Sequence, residues 1–235
     1  TLVLPHISAH SVLNTCSNSA SDNCAGWNGQ SEMMGIPLDK LSDSYVIPRY
    51  YGAVNPTRLD ARIFIANPDS VARSITVKIG GVEMEGSPYT LEPNTGQVLK
   101  YAVDGGPVEI IGPPGSNIIA SLSQWRALRD YPSVFTGVAQ FMALPTDWVS
   151  DTYVLPRYDY TDHPNLYNVI VVSNLDSVDR QFTVTIEGVE MEGSPFTVLA
   201  SDDTVLKFPG IQGGPVVVSA DTGARIIASL YELRG

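Results

Sequence analysis

Alternation of polar and apolar residues runs through most of this chain and predicts β-strands. The segments RSITVKI at 73–79 and RQFTVTI at 180–186 each place an apolar residue at every second position. In a strand, such alternation buries one face and leaves the other in water. Clusters of Asn, Pro, Asp, Ser and Gly close the strands, at a spacing of roughly 8–12 residues that is typical of antiparallel sandwiches.

The strand pattern occurs twice. The octapeptide GVEMEGSP at 81–88 returns letter for letter at 188–195, and YVIPRY at 45–50 returns as YVLPRY at 153–158. The short apolar segment MMGIP at 33–37 likewise matches FMALP at 141–145. The offset is 107 residues for the octapeptide and 108 for the other pairs. An offset of this size indicates two units of the commonest domain size.

These patterns predict an all-β protein with two tandem antiparallel β-sandwich domains, immunoglobulin-like in architecture, after an N-terminal arm. The predicted boundaries are 1–25 for the arm, 26–122 for the first repeat, 123–134 for a connection and 135–235 for the second repeat. The best helical candidate, 123–129, is a single turn at most. Within the octapeptide, Val82 and Met84 should share one face and Glu83 and Glu85 the other.

The arm contains a further copy of the strand that opens each repeat. LVLPHI, at residues 2–7, resembles YVLPRY, so one strand is left over beyond the two bodies: Leu2, Val3, Leu4, Pro5, His6 and Ile7. It can pair with another subunit or fold back onto its own first domain. Cys16 and Cys24 flank a Ser- and Asn-rich loop and form either a disulfide, which fits an oxidising compartment, or two free thiols.

Charge excludes some partners. The chain has 25 acidic and 14 basic residues, a net charge of −11, which argues against binding to nucleic acid or to an anionic membrane surface. No apolar run approaches the ~20 residues of a membrane-spanning helix. Thr1 is consistent with removal of a secretory signal, although another chain boundary would look the same.

No constellation for catalysis emerges, and we predict that the protein is not an enzyme. The only histidines, His6, His10 and His163, do not recur at equivalent places in the two repeats, and no Gly-x-Ser-x-Gly elbow is present. The carboxylate pairs of the two octapeptides could hold calcium, although a solvated strand face is the simpler interpretation. They are Glu83, Glu85, Glu190 and Glu192.

Aromatic and basic residues gather around the two Pro-Arg-Tyr strands. Exposed tyrosines could stack on sugars, but at least half should close the ends of the sandwiches. Arg49 and Arg157 occupy matching positions, where pairing with acids or with loop carbonyls is the favoured role. The tyrosines are Tyr45, Tyr50, Tyr51, Tyr153, Tyr158, Tyr160 and Tyr167.

The set of landmarks PRY, IANPDS, TVKIGGV, GGPVE and NIIAS resembles the tandem β-sandwich repeat modules of secreted bacterial cell-surface proteins. The resemblance covers residues 27–235 and carries no catalytic signature. It implies an extracellular protein of the stalk, adhesive or fibre-building kind.

Two functions follow as hypotheses. The first is a structural subunit of an extracellular filament or surface layer, which assembles with copies of itself when the spare strand pairs with an exposed sheet edge. The second is a carbohydrate- or surface-binding module that recognises cell-surface glycans. No cofactor is expected, apart from the calcium alternative.

Overall fold

The computed structural model describes residues 35–52, 59–127, 135–161 and 166–234. The described residues form 22 strands and two short 3-10 helices, and no helix reaches seven residues. Every strand pairing is antiparallel. The prediction of an all-β, antiparallel protein is therefore confirmed. Over the same ranges, no helix has the length and apolar character that crossing a bilayer requires.

Twelve strands form the first strand group. After a 3-10 helix at Leu38–Lys40 they are β1 Ser44–Ile47, β2 Tyr50–Tyr51, β3 Leu59–Asn67, β4 Arg73–Ile79, β5 Val82–Glu83, β6 Tyr89–Leu91, β7 Thr95–Leu99, β8 Asp104–Gly105, β9 Val108–Ile111, β10 Ile119–Ala127, β11 Phe135–Met142 and β12 Leu144–Pro145.

Ten strands form the second strand group. After a 3-10 helix at Thr146–Trp148 they are β13 Thr152–Leu155, β14 Tyr158–Asp159, β15 Leu166–Asn174, β16 Arg180–Ile186, β17 Val189–Glu190, β18 Phe196–Val198, β19 Asp203–Leu206, β20 Gln212–Gly213, β21 Val216–Ala220 and β22 Ile226–Arg234.

Each group contains two larger sheets that share one core. In the first, the orders are β12-β1-β9-β4-β5 and β11-β10-β3-β7, and in the second they are β13-β21-β16-β17 and β22-β15-β19. Buried side chains of both sheets of the first group form one apolar cluster, which includes Ile47, Ile63 and Leu122. A separate cluster, including Ile170 and Val184, occupies the second group.

The alternation of polar and apolar residues in the sequence explains which side chains of the long strands are buried. In β4, Ile75, Val77 and Ile79 are buried and the residues between them are partly exposed, and β16 repeats this pattern at Phe182, Val184 and Ile186. Each such side chain removed from water contributes about 1.5–3 kcal/mol. The two strands thus fix which face of each sheet points inward.

A buried asparagine organises the turn after the first long strand in each group. The Nδ2 of Asn67 donates to the carbonyl oxygens of Val71, Leu91 and Glu92 at 2.9, 3.0 and 3.2 Å. Its Oδ1 accepts from the backbone N–H of Asp69. Asn174 repeats the arrangement in the second group. Each side chain satisfies backbone groups that would otherwise be buried without partners.

Two details differ from the sequence predictions. Residues 123–127, expected in the connection, extend β10, because β3 and β11 pair with them on both sides. In the octapeptide, Val82 is 64% exposed, whereas Met84 packs against the core. The prediction that the two share one face was therefore wrong, since β5 ends after Glu83 at the sheet edge and the alternation stops there.

Candidate functional site

The most informative feature is a strand that opens the second repeat and lies on the first strand group. Strand β11 pairs with β10 from Ser121–Met142 to Ala127–Phe135, and β12 pairs with β1 at Tyr45–Pro145 and Val46–Leu144. One continuous segment therefore supplies an edge strand to both sheets of the first group. The chain that begins the second repeat completes the structure of the first.

This segment buries the edge that it covers. Val46 in β1 is 1% exposed, although it belongs to no core cluster. Its pairing partner is Leu144, and the 3-10 helix at Thr146–Trp148 also contacts β1. Residues 144–148 thus shield an outward-facing valine from water.

The corresponding edge of the second group is exposed. Val154 occupies the position of Val46, but it is 66% exposed. Across the four residues of β13 none is buried, whereas three of the four in β1 are. Among the described residues, β13 pairs with no strand other than β21, and β22 pairs with no strand other than β15, apart from an isolated bridge between Ser150 and Ile226. Within the part of the chain that the structure describes, no strand covers on the second group the edge that β11 and β12 cover on the first.

A second contact between the groups is apolar. Val169, Val171 and Tyr231 are buried on the outer face of the β15–β22 pair. Tyr51 and Phe141, both from the first group, pack against them. The ring centroids of Phe141 and Tyr231 lie 4.8 Å apart, and those of Tyr51 and Tyr231 lie 6.2 Å apart in an edge-to-face arrangement. This patch, called here the junction, joins the two groups through aromatic side chains.

An ion pair closes one side of the junction. The guanidinium of Arg49 binds the carboxylate of Asp203, and their side chains are 22% and 1% exposed. Arg49 also lies over the ring of Tyr51, 4.6 Å from its centroid. The hydroxyl of Ser173 donates to the carbonyl oxygen of Pro48 from the same segment. The second group thus contacts the segment around Arg49, which lies between β1 and β2 and not within a strand as the sequence predicted.

Burial determines the electrostatics of the junction. Burial raises the pKa of Asp203, although the positive charge of Arg49 opposes this shift. The pKa of Tyr231 is raised because its hydroxyl is removed from water. Both effects mark a site where a charge without a partner would be costly.

The equivalent arginine of the second group lies in a different environment. Arg157 pairs with Asp159 at 3.0 Å, and its side chain is 59% exposed. Asp203 has no acidic counterpart in the first group, because Gly96 occupies the equivalent place beside Ala66. Both arginines pair with acids, as one of the two expected roles had it, but the acids are not equivalent and only Arg49 joins the two groups.

Three of the predicted sugar-binding tyrosines are inaccessible. Tyr45, Tyr50 and Tyr158 are completely buried, and the hydroxyl of Tyr50 donates to the carbonyl oxygen of Ala61 at 2.7 Å. They belong to the two core clusters, so their role is structural, although the expected position at the ends of the sandwiches stays a prediction. Tyr160 and Tyr167 pack on each other, with centroids 4.7 Å apart. Tyr51 belongs to the junction. Tyr153 packs against the second core.

The four candidate calcium ligands stay at the surface. Glu83 and Glu190 are exposed in β5 and β17, and Glu85 and Glu192 are exposed just beyond them. Within the described ranges, no three His, Cys, Asp or Glu side chains come together as a metal site would require. Calcium binding therefore stays a prediction.

Several predicted residues lie outside the described ranges. They are the spare strand Leu2, Val3, Leu4, Pro5, His6 and Ile7, the cysteines Cys16 and Cys24, and the histidines His10 and His163. Sequence reasoning missed Asp203, Tyr231 and Val154. One signal could have found the first two: they differ from their counterparts, Gly96 and Ser123, in an otherwise close internal repeat.

No protein-family model matches this chain, and no curated protein matches it.

Proposed function

We propose that this protein is a structural subunit of an extracellular filament or surface layer, and that it assembles with copies of itself by strand addition. One observation carries the proposal: within the chain, a segment of one repeat already completes the sheets of the other. An edge strand with unpaired N–H and C=O groups invites the same pairing from another chain. The exposed edge at β13 and β22 is such an edge.

The proposal takes each strand group as one immunoglobulin-like β-sandwich domain. The support is that two sheets face one shared cluster of buried side chains in each group. Two such domains joined by a shared strand and by the junction form a stiff unit, which suits a load-bearing subunit.

The proposal also places the protein outside the cell, with Cys16 and Cys24 joined in a disulfide. The acidic composition, with net charge −11, keeps such a surface soluble. Mass spectrometry of the alkylated protein, with and without reductant, measures the pairing directly. Two alkylated thiols before reduction would contradict the disulfide.

The spare strand, residues 2–7, is the donor that the sequence suggests. Contacts of this kind are heterologous, so they propagate as a fibre unless they close a ring. Light scattering across a range of protein concentrations, combined with electron microscopy, tests the function. Concentration-dependent polymers are expected, and a monomer at every concentration would refute the proposal.

Two further samples refine the test. A variant without residues 1–11 should lose polymers if the spare strand is the donor, and unchanged polymers would remove that version. A chelator should leave the polymers intact if the carboxylates of Glu83 and Glu190 are only solvated. Loss of polymers in the chelator would instead support calcium at those pairs.

A further inference from the structure

We propose that the first strand group binds a neutral sugar ring in a surface cavity whose counterpart in the second group is packed with phenylalanine rings. The cavity has a volume of about 590 Å³ and lies between the turn that joins β5 to β6 and the segment that joins β7 to β8. Small-molecule sites have volumes of about 300–1,000 Å³. The inference goes beyond the proposed function and does not depend on it. The side chains that carry the argument are Met84, Glu85, Tyr89, Lys100 and Tyr101, all in the wall of the cavity.

Strand pairing identifies the first position at which the two repeats differ here. Tyr89 of β6 lies opposite Ile75 of β4. Phe196 of β18 lies opposite Phe182 of β16, and the two ring centroids are 5.7 Å apart. At this place the first group therefore has one aromatic ring fewer and one hydroxyl more than the second.

A backbone hydrogen bond identifies another such position. The N–H of Tyr101 donates to the hydroxyl of Tyr50 at 2.9 Å, and that of Phe208 donates to the hydroxyl of Tyr158 at 2.8 Å. Tyr101 and Phe208 are therefore equivalent. The ring of Phe208 packs near that of Phe196, with centroids 6.0 Å apart. The first group again has a hydroxyl where the second has a purely apolar ring.

The methionine of the octapeptide reports the consequence of these differences. Met191 is buried and belongs to the same apolar cluster as the three phenylalanines. Met84 occupies the identical place in the first octapeptide, but it is only partly buried and lines the cavity. Because the two octapeptides are identical, the residues around them must cause the difference. The cavity is thus specific to the first repeat, at a place where Ile75, Tyr89 and Tyr101 replace phenylalanine.

The two tyrosine hydroxyls form a directed chain of hydrogen bonds. Tyr101 donates to the hydroxyl of Tyr89 at 3.0 Å, and Tyr89 donates to the carbonyl oxygen of Glu85 at 2.6 Å. This direction leaves lone pairs of the Tyr101 oxygen to accept from a ligand. Burial raises the pKa of Tyr101, so its hydroxyl stays protonated and adds no charge to the cavity.

The charged side chains of the cavity have opposite signs. The carboxylate of Glu85 accepts hydrogen bonds, whereas the ammonium of Lys100 donates them. Lys100 binds the carboxylate of Asp60 at 2.9 Å and keeps two further donors. Met84 and Leu99 add apolar surface to the same wall. A matching ligand carries no net charge, both donates and accepts hydrogen bonds, and has an apolar face, and a pyranose ring meets all of these conditions.

The experiment is a titration of the full chain, carrying ¹³C-labelled methionine methyl groups, with the methyl glycosides of glucose, galactose and mannose. The protein concentration is kept below the one at which polymers form. We expect the methyl signal of Met84 to shift and saturate for at least one sugar, while that of Met191 stays in place. For a ligand of this size we expect a dissociation constant on the order of 1 mM.

The second repeat supplies the variants. Tyr89→Phe combined with Tyr101→Phe removes both hydroxyls and should weaken binding about tenfold. Addition of Ile75→Phe should abolish binding, because it restores the missing ring. Glu85→Ala should also weaken binding, whereas Glu192→Ala, at the same place in the other octapeptide, is the matched control and should leave binding unchanged. Circular dichroism should show that the Tyr→Phe pair folds like the unchanged chain, since the second group already accommodates phenylalanine at both positions.

Each outcome decides for or against the site. A Met84 shift that saturates, and that needs more sugar in the Tyr→Phe pair, would establish it. The absence of a shift with all three glycosides at about ten times the expected dissociation constant, where such a site is nearly full, would overturn it. An unchanged affinity in the Tyr→Phe pair, or an equal shift at Met191, would overturn it as well. Polymer formation is measured separately, so failure of the sugar site leaves the proposed function standing.

Discussion

The Arg49–Asp203 pair allows a quantitative test of the junction, because the chain contains its own control. Replacing Arg49 with Met removes one partner of a pair in which Asp203 is 1% exposed. The aspartate then remains buried with no opposite charge beside it. Replacing Arg157 with Met removes one of the partners of Asp159, from a pair whose arginine is 59% exposed. The two variants make the same chemical change at equivalent positions of the two repeats, but the two arginines differ in their burial.

The expected magnitudes differ widely. Breaking a buried pair from one side costs about 3–5 kcal/mol, and since Arg49 is 22% exposed we expect the lower end, about 3 kcal/mol. Loss of the contact between Arg49 and the Tyr51 ring adds about 0.5–1 kcal/mol. An exposed pair contributes only about 0–1 kcal/mol, so Arg157→Met should be nearly silent.

Urea unfolding followed by circular dichroism measures the free energies of unfolding. Since the pair links two strand groups, its loss should appear as earlier opening of the junction, with faster hydrogen exchange near Arg49 and Asp203 than elsewhere. A third variant, with Arg49→Met and Asp203→Leu together, should recover most of the loss, because apolar residues can replace a buried pair at little cost. Equal losses in Arg49→Met and Arg157→Met would refute the assignment of Arg49 to a desolvated contact.

Three further changes test the turns inside the groups. A Cβ at Gly106 would overlap the carbonyl oxygen of Pro48, between β1 and β2, so Gly106→Ala should cost about 1–3 kcal/mol by thermal unfolding. Gly35→Ala, with open space around it, should be neutral. In Asn174→Ala, buried backbone carbonyls lose their hydrogen-bond donor, so the free energy of unfolding measured in urea should fall by about 1–3 kcal/mol. The pKa of Asp69 is lowered, mainly because its carboxylate accepts a hydrogen bond from the backbone amide of Asn117. Its contribution to the free energy of unfolding is therefore present above the ordinary Asp pKa of about 3.9 and is lost as pH falls through the lowered value. In Asp69→Asn, the acid-unfolding curve should be flatter over that range.

The sequence was sufficient for the strands and for the repeat, because both depend on local patterns. Alternation in β4 and β16 sets the buried face, and Asn67 with its neighbours sets the turn, whatever lies further along the chain. The edges were not predictable in this way. Whether β13 is covered depends on a partner strand far away in sequence, and the sequences of β1 and β13 are nearly identical.

The position of residues 135–145 shows the same limit. Sequence similarity assigned them to the opening of the second repeat, but it could not show that they pair with β10 and β1 of the first. Strand exchange between repeats preserves the local pattern and changes only the partner. A prediction based on local pattern therefore locates a strand in the sequence but does not show which strands it pairs with.

Identity and difference between the repeats carry different information about this molecule. The identical octapeptide makes the same turn in each group: Gly81 and Gly188 have φ of +72° and +77°, a conformation that favours glycine. The junction instead depends on positions where the copies differ, such as Asp203 and Tyr231. The contact between the two units of this chain joins two different surfaces, so the residues that make it differ between the copies. In a duplicated chain, the residues that join the units should therefore be sought at positions where the two repeats differ. The residues that fold each unit should be sought where the repeats are identical.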